Sequence, residues 1–276
     1  MYVVRIRCRG LLNLWAPADH SGPVLTVLAE GPGFVAVDKP AGRLVIPGRD
    51  GAAAERDLRS ELEEQLGRRV WVVHRLDRDT SGVLLFATAE AAHGALSRAF
   101  ERHVVIKRYL ALVAGSLFGA GQIDRALIPV RGGRVRVARG GGTTGDPAEA
   151  GGKASVTDWR AIERLGDFTL VEFRPRTGRL HQIRAHAAAL GHPLAVDPAY
   201  GGAARLEFGD HALTRVPLHA ASLKFPSPEA GPPVLVEAPL PDELTRVLGH
   251  LRAPTDAGAP PRYFPSGTGG DKVGGK

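Results

Sequence analysis

His74-Arg75-Leu76-Asp77-Arg78-Asp79-Thr80-Ser81-Gly82 is a polar knot between two apolar runs, Val70-Trp71-Val72-Val73 before it and Val83-Leu84-Leu85-Phe86 after it. The flanking runs predict two buried strands, so the knot packs two carboxylates and two guanidiniums into their connection. Charged side chains are rarely buried unless paired. The stretch is therefore either a surface turn laced with Asp–Arg pairs or a catalytic site, and the nine residues alone leave both open.

Working outward, 24–28 and 34–37 read as strands separated by Gly31-Pro32-Gly33, a strong turn signal. Residues 52–66 read as a helix with Leu58, Leu62 and Leu66 at a spacing of four. Thr88 is placed to cap a helix over 90–102 whose apolar face carries Ala92, Leu96, Ala99 and Phe100. A strand over 105–113 puts Lys107, Tyr109, Ala111 and Val113 on one face. Residues 131–153, rich in Gly and Arg, read as a long, mobile basic loop. Gly140-Gly141-Gly142-Thr143-Thr144-Gly145 matches a dinucleotide fingerprint but follows no apolar strand and opens no helix, so it is a chance match. Strands over 156–162 and 168–173 follow.

A second polar constellation runs from Arg174 to Gly191. A strand ends, Thr177-Gly178 turns, and a helix starts near Leu180 with Leu180, Ile183, Ala187 and Leu190 as its buried stripe. Free N–H groups at that start, with Arg176 and Arg179, predict an anion site. Arg184 sits at the edge of the stripe and calls for a carboxylate partner. His181 and His186 are five apart and share no helical face, and no H-E-x-x-H occurs, which argues against metal catalysis. Ser116 lacks a nucleophile elbow. Asp77 and Asp79, two apart, do not readily face each other across a sugar.

The 276 residues permit one large domain or two small ones. The net charge of +7 favours acidic partners, nucleic acid first, although a coding bias toward Arg accounts for much of the excess. The one cysteine, Cys8, builds no disulfide framework, and no apolar run approaches the length of a membrane span or a secretory segment. These features predict a cytoplasmic protein with no membrane partner. The predicted organisation is a variable lead-in over 1–22, one domain over 23–252, and a disordered Pro- and Gly-rich tail over 253–276.

Taken together, the motifs resemble the RluA family of pseudouridine synthases over about residues 23–250. Lys39-Pro40-Ala41-Gly42 resembles the family's first motif, and His74-Arg75-Leu76-Asp77 with Thr80-Ser81-Gly82 its catalytic H-R-L-D-x-x-T-S-G. Lys107-Arg108-Tyr109 resembles its K-x-Y, and Gly178 through His186 its G-R-x-H-Q-[IL]-R-x-H block. Gly191-His192-Pro193-Leu194, Asp197, Tyr200-Gly201 and Leu218-His219-Ala220 follow in order. Val196 departs from the Gly usual before the Asp, and the small amino-terminal RNA-binding domain of many relatives is not matched.

The resemblance implies the pseudouridine synthase fold: α+β, with a mixed, largely antiparallel central sheet in two halves, flanked by helices around a basic cleft. It implies isomerisation of uridine in ribosomal or transfer RNA to pseudouridine, with no metal and no organic cofactor. Asp77 would act at the ribose as nucleophile or base, Arg184 would keep it ionised, and Tyr109 would stack on the uracil and accept a proton near carbon-5. The target base must be flipped from its stack. Arg75 would fill the vacated space. Lys107, Arg176, Arg179, His181 and the 131–153 loop would contact the RNA. The rival reading from another class is a catalytically silent RNA-binding or chaperone protein on the same fold; a third is a nucleoside glycosidase, which would release free uracil. A shortage of exposed apolar stripes predicts a monomer.

Overall fold

The structure, a computed structural model, describes residues 4–6, 24–47, 56–139, 151–208, 211–229, 231–253 and 262–265. In chain order the elements are β1 (Val4–Ile6), β2 (Val27–Gly31), β3 (Phe34–Lys39), α1 (Leu58–Leu66), β4 (Trp71–Val72), β5 (Ser81–Ala87), α2 (Glu90–Glu101) and β6 (Ile106–Ala114). There follow β7 (Ala120–Asp124), β8 (Leu127–Val130), β9 (Arg134–Val137), β10 (Val156–Leu165), β11 (Phe168–Pro175) and α3 (Gln182–Ala189). The chain closes with a 3₁₀ turn (Pro198–Tyr200), β12 (Ala203–Phe208), β13 (His211–Leu213), β14 (Leu218–Phe225), β15 (Val234–Glu237), α4 (Asp242–Arg252) and β16 (Arg262–Pro265).

The main sheet runs β2-β3-β5-β14-β6-β11-β10-β7, with β4 added to β5 and β15 and β1 added beyond β14. Its named pairs are antiparallel except β14–β5 and β1–β15. β14 and β5 share only two register pairs, His219 with Ser81 and Ala220 with Gly82, so this junction is the seam between the two halves. Gly82 has φ +107°, and a β-carbon there would lie 2.3 Å from the Ala220 carbonyl oxygen, so the seam closes only on glycine.

Each half is covered on both faces, because its strands bury alternate side chains on opposite sides. Val35, Val37, Leu84 and Phe86 pack with Leu58 and Leu62 of α1. Phe34, Ala36 and Leu85 on the other face pack with Ala92 and Leu96 of α2. In the second half Ala111, Val113, Val171 and Phe173 meet Ile183 and Ala187 of α3, while Leu112, Phe168 and Leu170 meet Leu244, Val247 and Leu248 of α4. A buried Leu or Phe contributes about 1.5–3 kcal/mol, so these four interfaces hold the sheet. Tyr109 touches both the α1-side and the α3-side clusters and marks where they adjoin.

Several expectations are corrected. The first helix begins at Leu58, because Asp57 caps it, accepting from the Ser60 backbone N–H at 3.1 Å; residues 52–55 lie outside the described residues. Ala89, with no side-chain bond, is the N-cap of α2, and the Thr88 N–H instead donates to the Gly33 carbonyl. The expected loop 131–153 begins as the β8–β9 hairpin, whose Leu127 and Val135 pack on Ala185 of α3. Residues 140–150, including the rejected glycine fingerprint, lie outside the described residues. The lead-in supplies β1, paired with β15, and the tail supplies β16, paired with β12. Among the described residues no helix is long and apolar enough to cross a membrane.

Candidate active site

The polar knot is a turn and a cleft wall at once. β4 stops after Val72 because the His74 ring takes over the ladder: its Nε2 accepts the Leu85 N–H at 3.0 Å. The ring stacks on Phe100 at 4.7 Å, and burial, followed by the charge of Lys107, pushes its pKa down to about 3. Leu76 then buries, and Asp77 opens a tight turn closed by the Thr80 N–H on the Asp77 carbonyl at 3.1 Å.

Lys39, fully buried at the end of β3, holds this turn from beneath. Its Nζ donates to the carbonyls of Arg78 (2.7 Å), Thr80 (2.9 Å) and Pro40 (2.9 Å). Burial lowers its pKa to about 7, opposed by the nearby Asp79 and Asp77 charges. Three carbonyl acceptors use three N–H bonds, which only the ammonium supplies.

Above the turn lies a cleft of about 750 Å³. Asp77, Tyr109 and Arg184 all line it, as do Arg75, Lys107, Arg179 and His181. Arg75 and Arg179 are exposed at its rim. Lys107 donates to the Thr177 carbonyl at 2.7 Å, and burial with the Arg179 charge lowers its pKa to about 8. Burial, then the charge of Asp77, pushes the Tyr109 phenol up, so it is neutral in the physiological range. Arg176 is the one candidate outside the cleft lining: it makes a two-point pair with Asp158 of β10 at 2.8 and 3.0 Å.

The partner expected for Arg184 is corrected. Its guanidinium makes a two-point pair with the fully buried Asp197, at 2.7 Å through each nitrogen, and lies over the Tyr200 ring at 5.0 Å. Burial works against its charge, but the Asp197 bonds and then the charges of Asp197 and Asp77 hold it above the usual guanidinium range. Asp77 thus feels Arg184 through space while Asp197 anchors it.

The His181 ring lies beside Asp77, with its Nε2 4.0 Å from the carboxylate. His181 is left-handed (φ 49°), a conformation a non-glycine residue rarely adopts. Helix α3 therefore starts at Gln182, two residues later than expected, and Leu180 is 50% exposed in the cleft instead of buried. The Tyr200 hydroxyl accepts from the Val135 N–H and meets His181 Nδ1, both at 3.0 Å. With the phenol donating to Nδ1, the Nε2–H faces Asp77. Burial holds the ring below its usual pKa, against the pull of Asp77.

The rest of the second motif is structural. The Gln182 amide donates to Val156 O and Thr157 Oγ1, and its carbonyl accepts from Thr177 Oγ1 and the Arg179 N–H. One donor of the expected helix-start anion site is thereby satisfied internally. Buried His186 bridges Thr157 Oγ1 and the Arg125 carbonyl. Sequence reasoning missed Lys39 and Tyr200 as supports. Lys39 carried a signal, a lysine ending an apolar strand directly before a Pro–Gly turn. Tyr200 carried none beyond its motif.

The family model for RNA pseudouridylate synthase matches residues 33–189. A protein of Xanthomonas campestris described as ribosomal large subunit pseudouridine synthase D is 36% identical over 84% of this chain and 72% of its own length. An RNA pseudouridine synthase of Zymomonas mobilis is 39% identical over 76% of this chain and 90% of its own. Among solved structures, human RNA pseudouridylate synthase domain containing 1 superposes with a TM-score of 0.62 at 27% identity, covering 86% of this chain and 98% of that one. With a two-halved mixed sheet bearing an acidic turn at its seam, and with these matches across most of its length, the chain belongs to the RNA pseudouridylate synthase family, in its RluA branch, and is an enzyme that isomerises uridine in RNA to pseudouridine.

Proposed function

We propose that the isomerisation runs on Asp77 and that its target is a uridine of ribosomal RNA. The observation that carries the first part is that a carboxylate on a cation-braced turn shares one cleft with a neutral phenol, a half-buried histidine and an anchored guanidinium. The reaction breaks the bond between the base nitrogen and ribose carbon-1′, turns the base, forms the bond from carbon-5 to carbon-1′, gives up the carbon-5 proton to solvent and takes a proton from solvent onto the freed base nitrogen. Asp77 acts at the ribose. Arg184 is held by its two-point pair with Asp197, so it presents a fixed positive charge to the cleft without capping Asp77. Fixed charges of this kind need no rearrangement at the moment of reaction.

Tyr109 offers its ring to the detached uracil, and its raised pKa keeps it a phenol while Asp77 is charged. Because burial, more than the Asp77 charge, keeps it a phenol, Tyr109 can take the carbon-5 proton only by passing its own hydroxyl proton on to solvent or another base. The target nucleotide enters everted, at a cost of a few kcal/mol. Arg75 and Arg179 at the rim, with Lys107 within, meet the neighbouring backbone and the vacated space. Arg176, tied to Asp158, contributes through its outward face only. The ribosomal assignment is supported by relatives described as ribosomal large subunit pseudouridine synthase D. The chain acts as a monomer, in keeping with the shortage of exposed apolar stripes in its sequence.

The test measures release of tritium from carbon-5 of labelled uridine in ribosomal RNA taken from cells lacking this protein. Wild type releases the label and Asp77→Asn does not, while still binding RNA. Activity in Asp77→Asn overturns the assignment of the carboxylate. Release from transfer RNA alone overturns the ribosomal target. Binding without release by wild type supports the silent RNA-binding reading, and free uracil supports the glycosidase.

A further inference from the structure

Three consecutive carbonyls of the acidic turn are taken by cations. Lys39 takes those of Arg78 and Thr80; the one between them, of Asp79, goes to Arg215. Arg215 lies just before β14, on the far side of the seam. Its Nη1 donates to Asp79 O at 3.3 Å and to its neighbour's carbonyl, Val216 O, at 3.0 Å. Its Nε donates to Glu243 Oε2 at 2.6 Å, in the first turn of α4. The guanidinium side chain is 13% exposed and the Glu243 side chain 32%. Arg215 and Glu243 both lie beyond the residues the family model covers.

We propose that Arg215, held by Glu243, is a positioning residue for Asp77: it ties the turn that carries the catalytic carboxylate to α4 and to the second half of the sheet. The inference rests on Asp77 being the catalytic carboxylate. Arg215 lines no part of the cleft, so it lies away from the reacting atoms. Lys39, with the Gly42 N–H that also donates to the Arg78 carbonyl at 2.9 Å, fixes the turn to the end of β3, in the first half of the sheet. Arg184 and His181, which face Asp77, belong to the second half. At its far end the turn is joined to that half through Ser81, whose Oγ meets His219 Nδ1 at 3.0 Å. Without Arg215 the tether at Asp79, two residues from Asp77, is lost, and the distance between Asp77 and its electrostatic partners is less tightly fixed. A guanidinium suits the task because it reaches a carboxylate and two carbonyls at once in a fixed plane, which an ammonium on a flexible stem does less well. The proximity of the two supports is echoed in the charge of Arg215 acting on Lys39.

The full chain carrying Arg215→Lys, and separately Glu243→Gln, is compared with wild type in single-turnover tritium release at saturating enzyme, with the RNA dissociation constant measured in parallel. Misplacement of a reacting group by about 1 Å costs on the order of a hundredfold in rate. Each variant is therefore expected to lose about ten- to a hundredfold in single-turnover rate while binding RNA within about twofold of wild type. The double variant is expected to lose no more than the worse single one, because both changes release the same tether. Glu243 is part-exposed on a helix surface, so Glu243→Gln remains informative if Arg215→Lys fails to fold. Wild-type rates in the folded variants overturn the proposal, as do weakened binding at an unchanged rate and a fall in both together, which would make Arg215 an RNA contact. Asp77→Asn in the same assay separates the two claims: if it retains activity, the Asp77 assignment is what fails, whereas an inactive Asp77→Asn beside unimpaired Arg215 and Glu243 variants refutes the tether alone.

Discussion

Asp197→Asn keeps the shape of the side chain and removes its charge. Arg184 then keeps one acceptor oxygen of the two it holds at 2.7 Å, meets an amide NH2 in place of the other, and loses the countercharge of a carboxylate with no exposed surface. Breaking a buried ion pair costs about 3–5 kcal/mol. The Arg184 side chain keeps 12% exposure toward the cleft, where water softens the loss, so the lower end, about 3 kcal/mol, applies. At about 2–4 °C per kcal/mol for a domain of this size, Tm falls by about 6–12 °C. Activity is expected to fall too, at temperatures where the variant is folded, because the loosened guanidinium turns to the next carboxylate, Asp77, and caps the group proposed to act on the ribose. The companion variant Arg184→Met with Asp197→Leu replaces the pair with apolar packing, an exchange that is often neutral or stabilising. It is expected to recover most of the Tm and none of the isomerisation. Differential scanning calorimetry and the tritium-release assay read both effects. A Tm shift below about 2 °C in Asp197→Asn, or isomerisation at the wild-type rate in the double variant, would refute the reasoning.

Gly82→Ala is expected to cost several kcal/mol or to prevent folding, since its β-carbon would sit 2.3 Å from Ala220 O at φ +107°; chemical denaturation of the purified variant measures it. Lys107 is charged below about pH 8 and loses its proton above it; the slope of log affinity against log salt should therefore shrink by about one between pH 7 and pH 9, and Lys107→Gln should show the smaller slope at both. His74 and His219 are neutral in the folded protein, with pKa values pushed by burial to about 3 and about 4, below the unfolded value near 6.5. The unfolded chain then binds more protons between about pH 6.5 and pH 4, so stability is fully present above that window and falls by on the order of a few kcal/mol per histidine as the pH drops through it. Denaturant midpoints at pH 7.5, 5.5 and 4.5 follow the loss, and His219→Gln should flatten part of the curve.

Much of the architecture was open to reading because it rests on local period. Alternation in β3, β5, β6 and β11 and the four-residue spacing of Leu58, Leu62 and Leu66 mark which faces bury, and burial decides which elements form. Of the residues singled out, Asp77, Tyr109, Arg184, Lys107, Arg75, Arg179 and His181 line one cleft, and Arg176 does not. The chemistry of a residue type is carried by the residue itself, so such a list survives folding.

Pairing does not survive in that way. Asp77 and Asp197 are both carboxylates within the field of Arg184, and only the reversal of the chain after α3 puts Asp197 within 2.7 Å of it. The left-handed turn at His181 exposes Leu180 by a change of backbone angle that no spacing of side chains announces. Lys39 and Arg215 hold main-chain carbonyls, which every residue possesses, so their targets leave no mark in the order of side chains. The amino-acid sequence by itself determined which groups are present and which faces are buried, because both follow from composition and local period. Which cation meets which oxygen was decided only by the tertiary structure, because a contact between residues far apart in the chain depends on where the whole sheet brings them.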